Sequence, residues 1–135
     1  MRCPRDQSEL TVRTAEGHVG FVCSTCSGAW LPSKYVQSIE HVWEFSYADF
    51  TESVARNVVG PGKLRCPAHC GLLEEVHLSG GIFSWCRRCQ GIWFDQGEIA
   101  RLLSDFKQRE SGFGKLVAEQ TLWSLLAGIL GGLFP

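Results

Sequence analysis

Residues 65–98 carry the pattern that decides the fold: Arg65-Cys66-Pro67-Ala68-His69-Cys70, a β-prone stretch, then Cys86-Arg87-Arg88-Cys89-Gln90-Gly91-Ile92-Trp93-Phe94-Asp95-Gln96-Gly97-Glu98. A Cys-x-x-Cys turn sets two thiols on one tight loop, and an upstream Cys with a donor three or four residues on makes a second such knuckle. Subtracting 63 from these positions finds the pattern again near the N-terminus, as Arg2-Cys3-Pro4, Leu10, Gly17, Cys23, Cys26, Gly28 and Trp30. Nine identities fall at that one offset without a gap, and most are Cys, Gly, Pro or Trp. The chain reads as a tandem repeat.

Each repeat predicts the same shape. Leu10–Thr14 and His18–Val22 flank Gly17, and Leu73–Leu78 and Ile82–Trp85 flank Gly80 and Gly81, so each unit holds a β-hairpin between its two knuckles. Asp95 and Glu98 read as an N-cap and capping-box pair, with Ile99, Leu102, Leu103 and Phe106 as the apolar face of a following helix. The offset carries that helix to Ser33, Val36, Ile39 and Trp43 in the first unit. Residues 47–59 predict a further short helix with Phe50 and Val54 inward, ended by Gly60-Pro61-Gly62. The expected organisation is ribbon one with its helix (1–46), a helical connector and linker (47–63), ribbon two with its helix (64–111) and a tail (112–135). The fold class expected is a small metal-bound α+β protein, two tandem zinc ribbons each followed by an α-helix, plus an apolar C-terminal helix.

Paired knuckles point to Zn²⁺, two ions per chain, because structural zinc takes four tetrahedral thiolate or imidazole ligands. A redox dithiol would not need Cys3 or Cys66. A ribbon of about 45 residues has too little core to fold unaided, and bound zinc contributes on the order of 10 kcal/mol at neutral pH. The first site is expected from Cys3, Asp6, Cys23 and Cys26, with Asp6 a less common oxygen donor that His18 or water would otherwise replace. The second is expected from Cys66, His69, Cys86 and Cys89. His69 follows from the register of the repeat, since it stands 63 after Asp6, whereas thiolate affinity argues for Cys70. Trp30 and Trp93 are expected as core over the knuckles, and Gly28 and Gly91 as positive-φ turn residues.

The pattern Cys-Pro-x-x, then Cys-x-x-Cys-x-Gly-x-Trp-Phe-Asp-x-Gly-Glu, resembles the transcription factor IIB-type zinc-ribbon family of mostly small prokaryotic proteins. Residues 65–103 carry the resemblance closely and residues 2–31 carry it through Cys3-Pro4, Cys23, Cys26, Gly28 and Trp30. The first unit departs from it, with Pro32 and Tyr35 at the places of Asp95 and Glu98, and Asp6 and His69 stand where the usual member has Cys. The resemblance implies the ribbon and zinc. It does not establish a role in transcription.

Composition narrows the function. The 135 residues are 44% hydrophobic and 20% charged, a globular balance, with formal net charge −1. Three thiolates and one Zn²⁺ per site lower that charge further, so phosphate-driven nucleic-acid binding is disfavoured despite Lys63, Arg65, Arg87 and Arg88 around the second site. No Ser/His/Asp set, phosphate loop or carboxylate pair stands out, so no enzyme is expected. The opening MRCPRDQSEL has no apolar run of the secretory kind, so a reducing, cytoplasmic setting is expected. The uncharged LWSLLAGILGGLFP at 122–135 would make a helix of about 21 Å, short of the ~30 Å hydrocarbon layer. It suits burial against the ribbons, self-association or membrane attachment. The leading expectation is a non-catalytic zinc module that presents a surface to a protein partner.

Overall fold

The computed structural model describes residues 1–15, 18–38, 47–78, 81–96 and 98. Its elements run β1 (Thr11–Ala15), β2 (His18–Val22), β3 (Ala29–Leu31), α1 (Ser33–Ser38), α2 (Tyr47–Arg56), β4 (Val58–Arg65), β5 (Leu72–Leu78), β6 (Gly81–Trp85) and β7 (Ile92–Phe94). All seven strands join one antiparallel sheet in the order β1-β2-β3-β7-β6-β5-β4. The two expected hairpins are both there. Ala15 pairs with His18 at the end of β1–β2, and Leu78 with Gly81 at the end of β5–β6. What the spacing does not predict is that the hairpins are wings of a single sheet.

The join is the three-residue pair β3–β7. Trp30 lies opposite Trp93, flanked by Ala29 opposite Phe94 and Leu31 opposite Ile92. The register therefore turns about the tryptophan pair, so each half meets the other with equivalent positions. All six side chains are buried. A Cβ on Gly28 would stand 2.3 Å from the Trp93 ring, and one on Gly91 would stand 2.2 Å from the Trp30 ring. Each glycine thus makes room for the tryptophan of the opposite half. This corrects two expectations. The tryptophans are core, but each is seated over the other half's glycine and not only over its own knuckle. The left-handed residues are Ser27 (φ 62°) and Gln90 (φ 62°), one before each glycine, so close approach is what Gly28 and Gly91 supply.

Strand alternation divides the core. On one face Val22, Ala29, Leu31, Ile92, Phe94, Trp85, Phe83 and Val76 meet the helices, with Tyr35 and Val36 from α1 and Phe50 and Val54 from α2. Phe50 and Val54 point inward as the sequence predicts. On the other face Trp30 and Trp93 pack with Leu10, Leu73 and the knuckle thiols of Cys3, Cys23, Cys66 and Cys86.

Two local expectations change. Helix α1 starts from the Pro32 carbonyl, which accepts the N–H groups of Tyr35 (2.9 Å) and Val36 (3.2 Å), so Pro32 and not Ser33 holds the N-cap place. Gly60-Pro61-Gly62 does not break the chain. It lies within β4, an edge strand whose register shifts on both sides of it. An edge strand tolerates Pro because one row of its N–H groups has no ladder partner to lose. Ile39 and Trp43, the helix face Ile99, Leu102, Leu103 and Phe106, turn residues Gly17 and Gly80, and the tail 112–135 lie outside the described residues.

Truncating a buried tryptophan costs about 3–5 kcal/mol, a large part of the roughly 5–15 kcal/mol that stabilises a domain. Crowding its seat is expected to cost less but still measurably. Gly28→Ala and Gly91→Ala should each lower the unfolding free energy of the metal-loaded chain by about 1–3 kcal/mol, read by denaturant titration. An alanine tolerated without loss at both positions would show that the tryptophan seats are loose.

Candidate metal centres

The structure gathers two groups of four donors. The first is Cys3, Asp6, Cys23 and Cys26; the second is Cys66, Cys70, Cys86 and Cys89. Within each group the donor atoms lie within 4.8 Å of one another. Cys3 Sγ is 3.6 Å from Cys26 Sγ, and Cys66 Sγ is 3.6 Å from Cys89 Sγ. Tetrahedral zinc with ~2.3 Å bonds to sulfur needs about 3.8 Å between thiolates, so both groups fit the ion.

Main-chain bonds build the two alike. Arg5 N–H donates to Cys3 Sγ (3.3 Å) and Ala68 N–H to Cys66 Sγ (3.3 Å). Cys26 N–H donates to Cys23 Sγ (3.4 Å) and Cys89 N–H to Cys86 Sγ (3.5 Å). Such bonds favour thiolate over thiol. Burial does the opposite: it pushes the Cys3 thiol up to about 12 and raises Cys26, Cys66 and Cys89. At Cys23 burial also opposes ionisation, but bonds from the Ser8 hydroxyl and from the N–H groups of Cys26 and Thr25 outweigh it. At Cys86 burial is likewise outweighed, by the N–H groups of Cys89 and Arg88 together with the neighbouring thiols. Several thiols crowded this closely ionise together only with a cation among them.

Seven of the eight expected donors come together, and His69 does not. His69 is exposed and left-handed (φ 64°), and its N–H bonds the Cys66 carbonyl at 2.9 Å. In the first knuckle the left-handed residue is Gln7 (φ 65°), whose N–H bonds the Cys3 carbonyl at 3.0 Å. The second knuckle therefore closes its turn one residue earlier, after three residues and not four. Cys70 is carried to the donor position that Asp6 holds in the first. The 63-residue register fails at this one place, and the Cys70 thiol, not the His69 imidazole, joins the donor group.

Asp6 is exposed and its carboxylate lies 3.5 Å (Oδ2) from Cys23 Sγ. Ser8 holds it: the Ser8 N–H donates to Asp6 Oδ1 (2.9 Å), its hydroxyl donates to the same oxygen, and that hydroxyl is 3.2 Å from Cys23 Sγ. The Ser8 bonds keep the carboxyl below its ordinary range. The signal was legible as Asp-x-Ser, the Asx-turn spacing.

Asp95 stands directly before the helical residues 96 and 98, the N-cap place expected of it, and it has tertiary partners as well. Its carboxylate accepts two bonds from Arg5 (Nε to Oδ1, 2.8 Å; Nη2 to Oδ2, 2.6 Å) and one from the Trp93 indole (2.9 Å). Glu98 Oε2 accepts the Ile82 N–H (3.0 Å), at the β5–β6 hairpin. Both carboxylates thus have tertiary partners that the capping pattern does not predict. In the first half Pro32 stands in place of Asp95, and the buried indole N–H of Trp30 has no partner among the described residues.

A family model of the transcription factor IIB-type zinc ribbon, described as a transcription factor zinc-finger, matches residues 65–105, under a third of the chain. No curated protein and no solved structure matched the chain. The second Cys group thus lies inside a zinc-ribbon-like stretch, and the first lies outside the match. Among the described residues no helix is long and apolar enough to cross a membrane.

The donor sets predict unequal sites, since a solvent-exposed carboxylate holds zinc less firmly than a fourth thiolate. A chelator should strip the first site before the second, and Asp6→Cys should slow that loss. Cys70→Ser should empty the second site, whereas His69→Ala should leave it loaded; metal analysis of each variant is the check. The orphan Trp30 indole gives a separate expectation. Pro32→Asp should raise stability by about 1 kcal/mol by supplying an acceptor and a better N-cap for α1, measured by thermal unfolding.

Proposed function

We propose that the chain is a non-catalytic module of two tandem zinc ribbons whose rigid sheet is presented to a protein partner. The observation that carries the metal part is the pair of four-donor groups on one face of a single sheet, each braced by the same main-chain N–H···S bonds. Zinc supplies the cross-link that fixes knuckles to hairpins; the residues of the chain then orient the surface.

Exposed apolar side chains on the sheet support a protein partner. On the knuckle face of the β1–β2 wing, Val12 is 57% and Val19 45% exposed, beside the partly buried Phe21 that pairs with Val12. At the equivalent places 63 residues on stand Glu75, Ile82 and Ser84. The β4–β5 wing exposes Val59 and Leu72 as well (56% each), and exposed apolar side chains on both wings favour contact with protein over contact with phosphate. The basic residues near the second site are partly committed elsewhere. Arg87 makes a two-bond pair with Glu74 (3.1 and 2.9 Å) and lies 5.0 Å from the centre of the Trp85 ring. Trp30 and Trp93 are buried and offer no stacking surface. A cytoplasmic setting is part of the same proposal, and it rests on cysteines spaced for metal rather than for disulfides.

Elemental analysis of gently purified protein should find two zinc ions per chain, and fewer than one would sink the metal reading. Affinity capture from native lysate should retain a partner on the full chain and on a chain lacking 112–135, and lose it with the pair Val12→Asp, Val19→Asp. If oligonucleotides instead bind at about micromolar affinity with a steep salt dependence, the nucleic-acid reading replaces this one.

A further inference from the structure

We infer that Asp95, at the end of β7, positions the first metal centre from across the sheet and thereby couples metal binding at the two centres. This rests on reading both donor groups as metal sites. Arg5 directly precedes Asp6 in the first knuckle, and its own N–H donates to Cys3 Sγ. Its guanidinium is held in the two-bond fork of Asp95, a residue 90 positions away that follows the second knuckle group. The same carboxylate fixes the Trp93 indole, and the Trp93 ring fills the space over Gly28. The Gly28 carbonyl accepts the N–H of Cys23 (2.9 Å), closing the other knuckle of the first site. Asp95 therefore reaches both knuckles of the first centre, one through Arg5 and one through Trp93.

The second centre has the packing half of this arrangement without the polar half. Trp30 fills the space over Gly91, whose carbonyl accepts the Cys86 N–H (3.0 Å). Pro32 and Ala68 occupy the places of Asp95 and Arg5, and the Trp30 indole is left unpartnered among the described residues. The centre with the exposed carboxylate ligand is the one given a charged brace, while the four-thiol centre goes without. An isolated exposed ion pair contributes little, but a forked arginine–carboxylate pair with a third bond to a buried indole fixes geometry. Residues that orient metal ligands in this way alter affinity by about 10- to 100-fold. Order at the second knuckle group sets the start of β7, and so places Asp95. Coupling of this kind is reciprocal in binding free energy, so filling order follows intrinsic affinity and the four-thiol centre fills first.

The test is cadmium-113 NMR on the full chain titrated with Cd²⁺, in which a four-sulfur site and a three-sulfur, one-oxygen site resonate apart. Arg5→Ala leaves Asp95 on Trp93 and removes only the brace. It should weaken Cd²⁺ binding at the three-sulfur site about tenfold or more while the four-sulfur resonance holds. Asp95→Ala should do the same, and the double variant no more than Asp95→Ala alone. Cys89→Ser should weaken the three-sulfur site in the wild-type background and lose that effect in Asp95→Ala. Unchanged affinity in Arg5→Ala, or loss of both resonances together, would overturn the inference and leave the metal reading intact. A wild-type chain that takes up no Cd²⁺ at the three-sulfur site would instead overturn the metal reading, and the inference with it.

Discussion

The contact on which the rest of the molecule depends is the reciprocal seating of Trp30 over Gly91 and Trp93 over Gly28. Two hairpins with a few knuckle residues apiece have little apolar surface to bury, and each alone would leave one face of a short strand open to water. Pairing β3 with β7 closes both open strands at once and turns two small sheets into one of seven strands. The absence of a side chain at residues 28 and 91 is what allows the two strands to approach with an indole on each side. Every larger feature, from the helix-covered face to the placement of the donor groups, is arranged about that pair.

Seen from this contact, metal and core divide the work. Face one is an ordinary hydrophobic layer in which α1 and α2 cover the sheet. Among the described residues face two has no helix packed on it; the knuckle thiols pack there against the tryptophans. Holding four thiols in apolar surroundings is unfavourable as thiolate and structurally slack as thiol, since free thiols make only weak hydrogen bonds. A bound cation removes that conflict by converting the thiols into ligands. The knuckle face is thus the layer whose packing a bound metal would complete, whereas the helix face is built from apolar side chains alone.

The two halves are alike in their backbone brace and different in their side-chain chemistry. Asp6 with Ser8 stands against Cys70, Arg5 with Asp95 against Ala68 with Pro32, and Val12 with Phe21 against Glu75 with Ser84. The shared features are those that any knuckle needs. The differing ones give the two donor groups different chemistry and the two wings different surfaces.

Much was legible in the chain before any coordinates. Cysteine spacing, the 63-residue offset, the glycine-centred hairpins and the inward Phe50 and Val54 are local patterns, and local patterns act over a few residues where backbone geometry leaves few alternatives. Cys3, Asp6, Cys23, Cys26, Cys66, Cys86 and Cys89 followed from them. Three things did not. His69 or Cys70 turned on whether a loop closes after three or four residues, a difference of one hydrogen bond that the repeat register cannot express. Gly60-Pro61-Gly62 reads as a break unless an edge of a sheet is available to absorb its missing donor. The joining of two wings into one sheet, and the bond from Arg5 to Asp95, link residues 60 to 90 apart in sequence. Such pairings depend on which surfaces are left over after the local units form, and only tertiary packing selects among them.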